Sequence, residues 1–249
     1  MTPVAQVCAA HARRLINMHV WKQCRESLKL EDVKFILSVL EPGKEDGGAL
    51  QKLLIDPEAR DAILDDVSLV DALQDRGELL TISSQLYFYL LVRHCLRFQD
   101  IGDRDVADYV AALLSQFASA ERMIRPLPND DFASTYIVDL IAALQEHGAE
   151  GRFHIHTHIA NYALFLTGIF PEHIDHRRRR RGAPGIRYYE AIGQANYEVV
   201  SGLHLAGEYE LREVFERLAQ WFSQIRLALN DLGDRFLSFG VSDGKVLPA

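Results

Sequence analysis

Apolar residues recur with a helical period along most of the chain. From Leu211 they fall at Leu211, Val214, Leu218, Trp221, Ile225, Ala228 and Leu232, in alternating steps of three and four. Such spacing lays one stripe along a helix, and Phe215, Phe222, Leu229 and Phe236 widen it to one side. A stripe this broad suits burial in a bundle better than a bare two-stranded coiled coil. Residues 103–120 place Val106, Tyr109, Val110, Leu113, Leu114 and Phe117 on one face. Residues 131–147 do the same with Phe132, Tyr136, Ile137, Leu140, Ile141 and Leu144, and Asn129 or Asp130 can cap that helix. Ser83 or Ser84 can cap another running to Arg97, whose centre, Leu86 to Val92, is apolar all round and belongs in the interior.

Proline supplies the punctuation. The stretches 58–125, 129–170 and 185–247 contain none, and a proline inside a helix costs about 3 kcal/mol. Pro171-Glu172 is a helix start, and Gly182-Ala183-Pro184-Gly185 a stop. Gly207 and Gly233 mark ends or a kink. The pattern predicts an all-α, multi-helix bundle with a long C-terminal amphipathic helix, 208–237, that could also serve a homo-oligomer. Residues 1–41 read as an N-terminal helical segment, 42–239 as the main bundle that can include it, and 240–249 as a loose tail. Glu41 to Gly48, rich in glycine and charge, is the expected linker.

Composition adds bounds. The chain of 249 residues is 48% hydrophobic and 25% charged, ordinary for a globular protein, and its net charge of −8 argues against a dedicated duplex-DNA binder. Three widely spaced cysteines without a CxxC pair fit reduced, buried thiols. With no signal-peptide pattern and no apolar run long enough to span a bilayer, a soluble cytoplasmic protein without membrane contact is expected.

Charge is distributed unevenly. The 36 residues from Arg152 to Arg187 hold seven arginines against Glu172 and Asp175, a net +5, which leaves −13 for the rest. Arg177, Arg178, Arg179, Arg180 and Arg181 are consecutive, and Arg187, Tyr188 and Tyr189 follow across the Gly-Pro-Gly turn. Cations in a last helical turn complement the macrodipole, but five adjacent guanidiniums spread around every side of a helix and cannot all be paired by one surface. Guanidinium with aromatic rings also suits single-stranded nucleic acid. Residues 177–181 and 187–189 are therefore the expected binding surface, with an acidic protein or a nucleic acid as partner.

Five of the ten histidines share the same window. RFHIHTHIA alternates like a strand, but a helix continuing through ANYALFLTGIF fits its neighbours better. On a helix His154, His158 and Asn161 share a face while His156 points nearly opposite. His154 and His158 are weak metal candidates: the base of an HExxH site is missing, since Ile155 follows His154, and no Glu-x-x-His occurs. No metal or cofactor is expected. Arg93 and His94, with Arg97, end the apolar helix and could line a polar pocket. Two functions follow. One is a non-catalytic interaction or regulatory protein that holds an acidic partner through the arginines. The alternative is a helical enzyme, a metal-dependent or acid–base hydrolase or nuclease on a phosphate-containing substrate, using His154 and His158, with Arg93 and His94 as further catalytic candidates.

Overall fold

The computed structural model describes residues 24–41, 48–76, 81–118, 123, 125–126 and 136–237. Among them thirteen helices and no strand occur, as the apolar periodicity predicts. They are α1 (Leu30–Leu40), α2 (Gly48–Leu53), α3 (Pro57–Leu64), α4 (Val67–Arg76), α5 (Ser84–Phe98), α6 (Arg104–Phe117), α7 (Ile137–Ala143), α8 (Ala149–Ile169), α9 (Pro171–Arg181), α10 (Ile186–Gly202), α11 (His204–Glu208), α12 (Arg212–Gln220) and α13 (Phe222–Phe236). No helix among the described residues is long and apolar enough to cross a membrane.

Local chemistry sets several of these boundaries. Ser83 caps α5, its hydroxyl accepting the Leu86 N–H, and the same hydroxyl donates to Asp32 Oδ2 of α1 at 2.8 Å. Asp32 is fully buried and also accepts the backbone N–H groups of Ser83 and Lys29. One carboxylate thus docks α1 onto the start of α5 and satisfies donors that burial would otherwise strand. Asp103 caps α6 through the Asp105 and Val106 N–H groups and takes Arg217 of α12 on its other oxygen.

Helix α8 is the central element, packed against α6, α7, α9, α10 and α13. It is buried almost all round from Thr157 to Ile169, so RFHIHTHIA is helix rather than strand. Gly193 lets α10 approach it closely. A Cβ there would run into the Phe222 ring and lie 3.2 Å from the Ala163 Cβ. The face expected on α6 is buried in full, Val106 through Phe117, and Phe35 and Ile36 of α1 join the same core as α5, α6 and α8.

The C-terminal stripe is buried as expected, but two helices carry it instead of one. Trp221 leaves helical geometry at φ −104°, ψ 18°, between α12 and α13. Its N–H still bonds Arg217 and its carbonyl still accepts from Ile225, so the apolar period survives the break. The stripe is consumed by the chain's own core, leaving only Leu227 as a large exposed hydrophobic residue along α12 and α13. Gly207 falls one residue before the end of α11, whereas Gly233 lies inside α13. The helix expected over 131–147 spans only Ile137–Ala143 among the described residues. It buries Ile137 and Leu140 but exposes Tyr136 and Ile141. The candidate caps Asn129 and Asp130, residues 42–47 of the linker and the 240–249 tail lie outside the described residues.

Candidate functional site

The arginine run closes a short helix that is barely anchored. Pro171 starts α9 directly after Phe170, and Gly182 ends it in the left-handed region at φ 61°, donating its N–H to the Arg178 carbonyl. Glycine adopts that conformation without the steric cost a Cβ would add. Among its eleven residues only Ile174 is buried. Ala183, Pro184 and Gly185 then turn the chain into α10, and the Arg178 stem crosses Gly185 so closely that a Cβ there would lie 3.2 Å from its Cδ. A helical hairpin results, with cations on both arms.

Few of those cations are neutralised. Arg179 approaches Asp175 at 4.0 Å, with side chains 82% and 46% exposed. An ion pair so long and so solvated adds little. None of Arg177, Arg178, Arg180, Arg181 or Arg187 forms an ion pair with a carboxylate among the described residues. Arg178 to Arg181 and Arg187 are exposed, while Arg177 is half-buried beside Tyr162 and Tyr189. The two tyrosines that follow have different roles. Tyr188 is 42% exposed, whereas Tyr189 packs on the core margin, where burial raises its hydroxyl pKa. Their rings meet edge to face at 5.5 Å and 86°. Perpendicular rings offer one stacking surface, not a platform for successive bases.

The histidines lie deeper. His158 is only 5% exposed, its ring 5.7 Å from Phe117 and stacked on Tyr162 at 6.3 Å. Burial pushes its pKa down to about 4, against a hydrogen bond to the Met123 backbone, so the ring is neutral near pH 7. Its Nε2 finds no hydrogen-bonding partner among the described residues. His154 packs edge-on against Phe153, and His156 bonds Asn196 of α10 at 2.7 Å. Asn161, on the same face as His154 and His158, accepts the hydroxyls of Tyr109 and Tyr197. Among the described residues no three His, Cys, Asp or Glu side chains are grouped to hold a metal. Packing and helix-to-helix bonding occupy this face.

Arg93 and His94 stand elsewhere, on α5 facing α3 and α4, and are not brought to the α8 histidines. Arg93 is almost fully buried and binds both oxygens of Asp65, at 2.8 and 3.1 Å. Arg104 reaches the same carboxylate at 2.7 Å, and these two cations hold the Asp65 pKa below the usual carboxylate range against its own burial. His94 sits edge-on to Phe98, its pKa lowered by burial and by Arg235 and Arg97. Both residues line an open cleft of 320 Å³ with Arg97, beside the apolar Leu64, Val70 and Leu90.

The acids of this region carry no sequence signal. Asp65 lies 28 residues from Arg93, and Asp108, which binds Arg25 through its backbone N–H and Nε, lies 83 residues away. Arg25 also reaches Asp61 and Asp105, so one guanidinium ties the start of the described chain to α3 and α6. No protein-family model matches the chain, and no curated protein or solved structure matches it either.

Proposed function

We propose that this protein is a non-catalytic interaction module that holds an acidic protein partner through Arg177–Arg181, Arg187 and Tyr188. One observation carries the reading: six arginines gather at one hairpin, and a single long contact to Asp175 is their only carboxylate ion pair among the described residues. Guanidinium forks match carboxylates in geometry, and water-exposed arginines need no conformational change to meet them. A protein partner is favoured over nucleic acid because Tyr188 presents one ring where a strand would use several. The charge of −13 on the other 213 residues also opposes a long polyanion lying across the molecule.

A cytoplasmic setting belongs to the same proposal. Cys24 and Cys95 are buried free thiols, and burial pushes the Cys95 pKa up to about 12, which leaves it inert as a nucleophile. The enzyme reading, with His154 and His158 acting on a phosphate substrate, has the neutral buried imidazole of His158 in its favour and lacks a clustered third ligand among the described residues. Replacing Arg178 to Arg181 with glutamate tests the first reading. Crosslinked partners recovered with the wild-type chain should be absent from the variant at unchanged helicity, and equal recovery would contradict it.

A further inference from the structure

The cleft between α4 and α5 combines features that the arginine hairpin does not explain. Its floor is apolar and buried, formed by Leu64, Val70 and Leu90. Its rim holds two exposed apolar side chains, Val67 at 54% and Phe98 at 62%. Water-facing apolar groups around a concave floor are a standing cost that an apolar ligand would relieve.

The polar side of the same cleft carries two arginines with donors to spare among the described residues. Arg93, 6% exposed, uses Nε and Nη2 on Asp65, and its Nη1 meets no acceptor among the described residues. Arg97 is exposed, touches only the Asp65 backbone oxygen at 3.2 Å, and forms no carboxylate ion pair among the described residues. The two carboxylates at the cleft are already engaged. Asp65 is shared by Arg93 and Arg104, and Asp66 accepts the Ser68 N–H at the start of α4. Arg97 is thus a cation at the cleft without a carboxylate partner among the described residues and can take one added negative charge, while a second charge would add repulsion from Asp66, which among those residues only a backbone N–H engages.

We propose that this cleft binds a small monocarboxylic acid with an apolar body, its carboxylate at Arg97 and its hydrocarbon over Leu64, Val70 and Leu90. At about 30 Å³ for each non-hydrogen atom, the 320 Å³ cleft takes a ligand of roughly ten such atoms. Octanoate is that size. His94, neutral at pH 7 through its lowered pKa, sits between Phe98 and Phe236 and adds an aromatic wall without a competing charge.

Calorimetric titration of the full chain with octanoate, and with octanamide as the uncharged counterpart, tests the site. Octanoate should bind one-to-one, and Arg97→Gln should weaken it at least about tenfold, the loss expected of one charge-assisted contact. Octanamide should bind the wild-type chain as weakly as octanoate binds that variant. The hairpin variant with Arg178 to Arg181 changed to Glu should bind octanoate like the wild type, which separates this site from the exposed arginines. Arg97 is exposed, so its replacement should leave the circular dichroism spectrum unaltered. No saturable octanoate binding, equal affinity in Arg97→Gln, equal binding of octanamide, or loss in the hairpin variant would each overturn the proposal.

Discussion

Asn161 Oδ1 on α8 accepts the Tyr197 hydroxyl of α10 at 2.7 Å, and the same oxygen accepts the Tyr109 hydroxyl of α6 at 2.9 Å. All three residues are buried, so one amide oxygen pins two helices onto the central one. Asn161→Leu would remove the acceptor shared by two buried phenols, and a buried donor left unpaired costs about 1–3 kcal/mol. Tyr197→Phe or Tyr109→Phe removes a donor together with its need for an acceptor. Urea unfolding should show Asn161→Leu as the more costly change by at least about 1 kcal/mol. Equal costs would deny the amide this role.

His158 should make stability fall in mild acid. Its folded pKa of about 4 lies below the unfolded value of 6.5, so the unfolded chain takes the proton first. The contribution is complete above pH 6.5 and is lost as pH falls toward 4, by about 3 kcal/mol in all. Chemical denaturation at a series of pH values, compared with His158→Gln, isolates this term because every other group titrates in both proteins. A difference curve flat between pH 6.5 and 4 would mean that the ring is solvated in the folded state.

Gly193→Ala should destabilise the fold despite alanine's better helix propensity. The new methyl would collide with Phe222 and press on Ala163. Overpacking of this kind costs about 1–3 kcal/mol, more than the ~1 kcal/mol that propensity returns. Phe222→Leu in the same chain should recover part of the loss in a double-mutant cycle. Strict additivity would show that the two sites do not touch.

Much of the fold was legible because it rests on local signals. Ser83 caps α5, Pro171 and Gly182 bound α9, and the period of Val106 to Phe117 marks the buried face of α6. The interruption at Trp221 left no trace, since one residue off helical geometry does not disturb a three-and-four period. On α7 the apolar pattern is wider than the surface that covers it among the described residues, so Tyr136 and Ile141 are exposed. The arginine run could be located from the sequence alone because consecutive like charges are a property of residue order. By contrast, the partners of Arg93 depend on which distant acid the fold delivers, and no spacing rule announces Asp65. The helical period already set His156 apart from His154 and His158, but the bond of His156 to Asn196 and the burial of His158 depend on which helices fold against them.

The hairpin cations should contribute little to folding, because their favourable place at a helix C-terminus is offset by their mutual repulsion. Arg178, Arg180 and Arg181 have no carboxylate partner among the described residues, and their mutual repulsion is unrelieved. Replacing Arg178, Arg180 and Arg181 with glutamine should therefore leave the melting temperature unchanged or raise it slightly, as removal of like-charge repulsion does. A marked drop would mean that these side chains hold the bundle together and are not free for a partner.

Fluorescence anisotropy of two labelled probes of equal charge, a glutamate-rich peptide and a single-stranded oligonucleotide, titrated with the full chain, reads directly which polyanion the arginine hairpin prefers. The peptide should bind more tightly, weaken as salt is raised, and lose binding when Arg178 to Arg181 are changed to Glu. Tighter binding of the oligonucleotide, or peptide binding that survives the charge reversal, would contradict an acidic protein partner at Arg177–Tyr188.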